Sequence, residues 1–322
     1  MNLDTQSQQT SNGLYPSLQP HRTGMLAVGD GHEIYWEVCG NPEGAPAVFL
    51  HGGPGGSCQP DHRRLFDPEH YRIVLFDQRG SGRSRPKGSI ENNTTAHLVA
   101  DMELLRQHLQ IENWLILGGS WGAALALAYA QVFPQRTRAL VLRGTFSARQ
   151  AEVDWLYKFG ASALFPEEWQ KFVGPIPHDE RDDLVGAYHR RLMDPDESVQ
   201  REAARTWCAW ESALLTMRPR NMRSFAPTAG ELALARIEAH YFVNGSFMKD
   251  GHLLDNAGRL AEIPGIAVQG RYDVITPPRT AHELCQIWRK CRLEIVPDAG
   301  HATSEPGIVA ALVKATDGFR SL

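Results

Sequence analysis

Apolar residues gather in short runs at 47–50, 72–76, 114–117, 139–142, 266–268 and 293–296. Most of these runs are apolar on both faces, which predicts strands of a parallel sheet covered by helices on either side. Two earlier runs, at 25–28 and 34–38, flank a Gly-Asp-Gly-His turn and predict a hairpin. Helical spacing lies between the later runs. Leu98, Met102, Leu105 and Leu109 recur at steps of three and four over 95–109. The stretch 122–132 is small and apolar throughout, as a buried helix requires, and 280–289 and 307–316 also read as helices. Strand and helix alternate, which implies a doubly wound, mostly parallel α/β sheet. The middle of the chain breaks this pattern. Over 147–245 there are no strand-like runs, only amphipathic helical spacing, tryptophans and charges. The division expected is a core of residues 1–146 and 246–322, beginning in a loose tail at 1–13, and a helical cap at 147–245 inserted between two core strands.

Composition narrows the class. Hydrophobic residues make up 42% and charged residues 22% of the 322, enough for a large core. A net charge of -4 gives no overall attraction to nucleic acid or to an anionic membrane. The five cysteines are an odd number without a CxxC pair, which argues against a disulfide framework or zinc knuckle and suits a reducing cytoplasm. No apolar signal-like segment opens the chain, so a cytoplasmic location is expected. HExxH is absent and the histidines are scattered, so no metal is expected.

The chemistry begins at GGSWG, 118–122, which follows one apolar run and opens the buried helix. A sharp strand-to-helix turn with nearly bare flanks lifts a serine oxygen above a helix N-terminus, the nucleophile-elbow arrangement. Ser120 is the candidate nucleophile. It needs a base, and the order expected along the chain is serine, acid, histidine. Asp273 and His301 each fall just beyond a predicted strand, where open α/β sheets place their sites. Asp298, three residues before His301 in the same loop, is poorly placed to orient that ring. HGGPGG at 51–56 lets backbone N–H groups approach a substrate oxygen. Gly53 and Trp121 are therefore the expected oxyanion donors. A phosphate-binding loop is excluded there, since neither GxGxxG nor a Walker lysine is present, and no cofactor is expected. DQRGSGRS at 77–84 reads as a loop pinned by ion pairs beside the site.

These motifs, with FDQRGSGRS at 76–84 and GRYD at 270–273, together resemble the proline iminopeptidases, serine peptidases of the α/β-hydrolase fold. The resemblance runs from about residue 14 to 318 and extends into the cap, at AYHRRL (187–192), WCAWE (207–211) and ARIEAHYF (235–242). It implies release of an N-terminal proline from peptide substrates, with Ser120, Asp273 and His301 as the triad and Gly53 and Trp121 as oxyanion donors. It also implies that Glu211 and Glu238 receive the substrate's amino group and that Phe146 holds the proline ring. Carboxylates in a partly dry pocket suit a cationic secondary amine. Ser81, the residues flanking Phe146 (Thr145, Ser147 and Ala148) and the stretch 302–304 depart from the commoner pattern, which bears on how strictly proline is preferred. Two rivals share the scaffold: an amidase or esterase with a re-tuned cap, and a binding protein without catalysis. The second usually lacks a triad member, and here all three positions are filled.

Overall fold

The computed structural model describes residues 13–218 and 228–322. The tail expected at 1–13 lies outside these residues, apart from Gly13. Eight strands form one sheet: β1 (Arg22–Gly29), β2 (His32–Gly40), β3 (Ala45–Leu50), β4 (Tyr71–Phe76), β5 (Trp114–Gly119), β6 (Thr137–Arg143), β7 (Gly265–Gly270) and β8 (Cys291–Val296). Their spatial order is β1-β2-β4-β3-β5-β6-β7-β8. β2 pairs antiparallel with β1 and β4, and every other pairing is parallel.

The apolar runs became the central strands because they are shielded on both faces. Every residue of β5 and of β7 is buried. The hairpin strands extend beyond their apolar cores, since backbone pairing carries polar residues such as His32 and Glu33 along. The helices follow in chain order: α1 (Pro60–Arg63), α2 (Thr95–His108), α3 (Trp121–Val132), α4 (Gln150–Tyr157), α5 (Ala161–Leu164), α6 (Pro166–Val173), α7 (Leu184–Leu192), α8 (Glu197–Leu214), α9 (Ala229–Val243), α10 (His252–Asp255), α11 (Arg279–Ile287) and α12 (Pro306–Gly318). No described helix is long and apolar enough to cross a membrane.

The connection order fixes where a site can form. The chain leaves β3 for β4 on one side and later returns to place β5 on the other side of β3. The crevice beyond the C-terminal ends of β3 and β5 is thus the switch point of the sheet, where such folds bind ligands. β3 delivers His51 and the glycine loop there, and β5 delivers Ser120.

Between β6 and β7 the described residues form helices α4 to α10 and short 3₁₀ turns, with no strand. These helices share an aromatic cluster. Tyr157 stacks on Trp207 at 4.5 Å between ring centroids, and Phe172 stacks on Tyr188 at 4.6 Å and on Trp210 at 5.6 Å. Such pairs contribute about 0.5–1.5 kcal/mol each beyond the area they bury.

The cysteine reading needs a correction. Cys285 and Cys291, six residues apart, are joined by a disulfide, while Cys39, Cys58 and Cys208 are free and buried. Composition and motif spacing carry no information on which side chains the fold brings together, and here the turn from α11 into β8 does so.

Candidate active site

Ser120 adopts φ 58° and ψ −123° between β5 and α3. A non-glycine residue at positive φ is strained and persists only where its surroundings hold it. Here Ser120 N donates to the Arg143 carbonyl at 2.8 Å, and Ser120 O accepts from Ala123 N at 2.9 Å. Its glycine neighbours are sterically required. A Cβ on Gly118 would lie 2.1 Å from the Gly122 oxygen, and one on Gly122 would lie 2.2 Å from the Leu50 oxygen. The elbow can therefore press against β3 only with bare backbone.

His301 and Asp273, from the loops after β8 and β7, meet. His301 Nδ1 lies 2.8 Å from Asp273 Oδ2, and both side chains are buried. Asp273 also accepts from Gln269 Nε2 (3.0 Å), Thr276 N (2.8 Å) and Thr276 Oγ1 (3.0 Å). These donors fix the rotamer of the carboxyl group and aim Oδ2 at the imidazole. The ring is then held with Nδ1–H toward the acid and Nε2 as acceptor. Nε2 accepts from Arg143 Nη1 at 2.9 Å. No hydrogen bond joins Ser120 Oγ to His301 among the described residues. Such contacts are often open in a free enzyme and close around substrate. Burial lowers the His301 pKa below 6.5; Asp273 opposes the shift and Arg143 adds to it.

The glycine loop is braced by a polar relay. His51 Nδ1 donates to the Gly52 carbonyl at 2.9 Å, and His51 Nε2 accepts from Gln78 N at 3.0 Å. Gln78 Nε2 donates to the His51 carbonyl (2.9 Å), and Gln78 Oε1 accepts from Trp121 Nε1 (3.0 Å). One buried amide thus ties the loop bearing Gly53 to the residue after the elbow serine. Among the described residues the N–H groups of Gly53 and Trp121 have no hydrogen-bond partner, so both donors are unspent. Gly53 has φ +113°, and a Cβ there would come within 3.1 Å of Leu234 on α9. The rest of the 77–84 loop is pinned by ion pairs. Arg79 meets Asp101 at 2.7 Å, and Arg83 meets Asp77 at 2.7 Å.

A cavity of about 480 Å³ opens on these groups, within the usual range for ligand sites. Ser120, Gly53, His301, Phe146, Glu211 and Glu238 all line it. α8 contributes Cys208, Glu211 and Ser212, and α9 contributes Glu231, Leu234, Glu238 and Phe242, each set one helical face at steps of three and four; Leu215, just past the end of α8, also lines the cavity. Tyr157 Oη donates to Glu211, and Trp207 Nε1 donates to Glu238 at 2.8 Å. Burial raises the pKa of both carboxyls. Glu238 is pushed well above the usual range, with Glu211 as the second cause. Two carboxyls this dry and this close favour sharing a proton until a cation arrives. Phe146 packs edge-on to Phe242 at 6.1 Å. The residue that follows the helix carrying Glu211 reaches the histidine loop: the Leu215 carbonyl accepts from His301 N (3.1 Å) and Ala302 N (2.8 Å).

Sequence reasoning passed over Arg143, Gln269, Thr276, Tyr157 and Gln78 as individual contributors. Arg143 left a signal, a charge at the C-terminal end of an otherwise apolar run beside the elbow. Thr276, three residues after Asp273, has the spacing of a local hydroxyl–carboxylate turn.

Residues 46–307 match the model of the α/β hydrolase fold family. The chain is 52% identical over 309 residues to a proline iminopeptidase of Xylella fastidiosa, covering 95% of this chain and 99% of the relative. It is 50% identical over 313 residues to a proline iminopeptidase of Arabidopsis thaliana, covering 96% and 82%. Among solved structures, a proline iminopeptidase-related protein from Thermus thermophilus matches with TM-score 0.59 and 26% identity, over 94% of this chain and 99% of that one. A protein from Burkholderia cenocepacia described as an aryl esterase matches with TM-score 0.63 over 93% and 98%, but at 19% identity that likeness shows the fold alone. The chain belongs to the α/β-hydrolase fold family and, within it, to the proline iminopeptidases.

Proposed function

We propose that the protein releases N-terminal proline from peptides by acyl transfer through Ser120. His301 removes the Ser120 proton as the oxygen attacks the prolyl carbonyl, and Asp273 holds the imidazole in the tautomer that allows it. The N–H groups of Gly53 and Trp121 hold the oxyanion. His301 then protonates the leaving amine, and water releases the imino acid from the serine ester. Glu211 and Glu238 receive the substrate's secondary ammonium, one N–H to each, and Phe146 and Phe242 provide apolar surface for its ring. In this reading the helices of 147–245 are a cap that closes the pocket at its amine end and so admits only a chain terminus. The observation that carries the proposal is a single cavity lined by both the elbow serine and two buried carboxyls. An esterase needs the first and has no use for the second.

The nucleophile is tested by labelling with a serine-directed fluorophosphonate. Only neutral His301 can take the Ser120 proton, so labelling rises with pH through the His301 pKa. Because burial depresses that pKa, the midpoint is expected below 6.5. No labelling at Ser120, or a midpoint well above 6.5, contradicts the assignment.

A cytoplasmic location belongs to the same proposal. Three free thiols support it, and the Cys285–Cys291 bond weighs against it. Cell fractionation decides between them.

A further inference from the structure

One charged group at the site has no role in that mechanism. Arg143 ends β6, is 9% exposed and lines the catalytic cavity. Among the described residues no carboxylate forms a salt bridge with it, Asp273 acts on it only through space, and its Nε has no hydrogen-bond partner. Nη1 donates to His301 Nε2 (2.9 Å) and to the His301 carbonyl (3.1 Å). Burial draws its pKa down to about 10, so the guanidinium remains a cation at neutral pH. The fold leaves room for it: a Cβ on Gly119 would lie 2.5 Å from Nη2. Asp273 offsets part of the cost of burying this charge through space, but no carboxylate touches the guanidinium among the described residues, and a buried cation without a direct partner invites an anion.

The cavity is therefore bipolar. Glu211 and Glu238 line its α8 and α9 wall, and Arg143 stands beside Ser120 on the neighbouring strand end. The peptide substrate carries a cation and a neutral carbonyl. The released imino acid carries a cation and a carboxylate, and that carboxylate forms at Ser120. We propose that Arg143 is the binding site for the carboxylate of the released amino acid, so that the enzyme holds its own product as a zwitterion. This rests on the reading of Glu211 and Glu238 as the amine site.

The proton inventory agrees. In deacylation the water oxygen bonds to the acyl carbon, its proton passes to His301, the C–Oγ bond breaks and Oγ takes that proton back. The product acid then gives its own proton to His301 Nε2. That nitrogen becomes a donor and can no longer accept from Arg143. Two donors now face each other, and a carboxylate accepts from both.

The test compares L-proline with L-prolinol, which keeps the ring and amine but has CH2OH in place of the carboxylate, as inhibitors of prolyl-2-naphthylamide hydrolysis. The wild-type enzyme is expected to bind proline at least about tenfold more tightly than prolinol. Arg143→Gln should bring the ratio toward one, and Arg143→Lys, which keeps the charge but loses the planar fork, should leave it in between. Where turnover is too low, calorimetry in the Ser120→Ala background gives the same ratio. Equal inhibition of the wild type, or an unchanged ratio in Arg143→Gln, overturns the proposal and leaves the amine site standing. If Arg143→Gln does not fold, an unchanged ratio in Arg143→Lys overturns it equally. If neither compound inhibits the wild type, the amine site fails as well, and both readings fall.

Discussion

Ser120→Ala is expected to fold normally and to lower kcat on a prolyl substrate by about 10⁴- to 10⁶-fold. Folding survives because the substitution keeps Cβ, and with it the whole steric setting of the elbow: the Ser120 N bond to Arg143 O, the bare Gly118 and Gly122, and the start of α3. The removed oxygen has no hydrogen-bond partner among the described residues, so stability should stay within about 0.5 kcal/mol. Activity falls because His301 and Asp273 serve only to move the serine's proton, and without Oγ no acyl-enzyme forms. What remains is the oxyanion hole and binding. Circular dichroism with steady-state kinetics on one preparation reads both quantities. A folded variant that keeps more than about a hundredth of wild-type kcat is incompatible with the scheme.

Glu211→Gln is expected to lower kcat/KM for free-amine substrates by about 2–5 kcal/mol, the cost of breaking a buried charged hydrogen bond. The change keeps the volume of the side chain and an oxygen for Tyr157 Oη to donate to, so the aromatic cluster holding α8 should persist. It also removes the second cause that raises the Glu238 pKa. A neutral acetate ester has no amine to place, and its turnover should change less than about threefold. The pH dependence separates the two substrates in the same way. Both carboxyls have raised pKa values, so as pH falls the pair loses its negative charge at less acidic pH than ordinary carboxylates do. KM for the amine substrate then rises while KM for the ester does not. Equal losses on ester and amine would remove Glu211 from amine recognition and favour an esterase with a re-tuned cap.

The core was legible because its signals are local. An apolar run reports shielding on both faces, and a glycine-flanked serine after such a run reports a turn that only bare backbone can make. Asp273 and His301 could be ranked because each follows a strand. The proposed amine site is different in kind. Glu211 and Glu238 sit on α8 and α9, 27 residues apart, and only the packing of one helix face against another brings them to one cavity. On helical spacing alone each is an ordinary surface carboxylate; the resemblance of WCAWE and ARIEAHYF to a known family singled them out. Gln78 and Arg143 stayed hidden for a third reason. Gln78 reads as loop scaffolding until its amide is seen to join His51 to Trp121, and Arg143 reads as a strand end until its guanidinium is seen against His301. The Cys285–Cys291 bond depends in the same way on where α11 hands over to β8.

The most direct measurement is hydrolysis by the purified protein of prolyl, alanyl, leucyl and N-acetyl-prolyl 2-naphthylamides, compared under one set of conditions. The account predicts fast release from the prolyl compound and none from its N-acetyl form, because acetylation removes the cation that Glu211 and Glu238 receive. Turnover of N-acetyl-prolyl naphthylamide at a rate near that of the prolyl compound would contradict it.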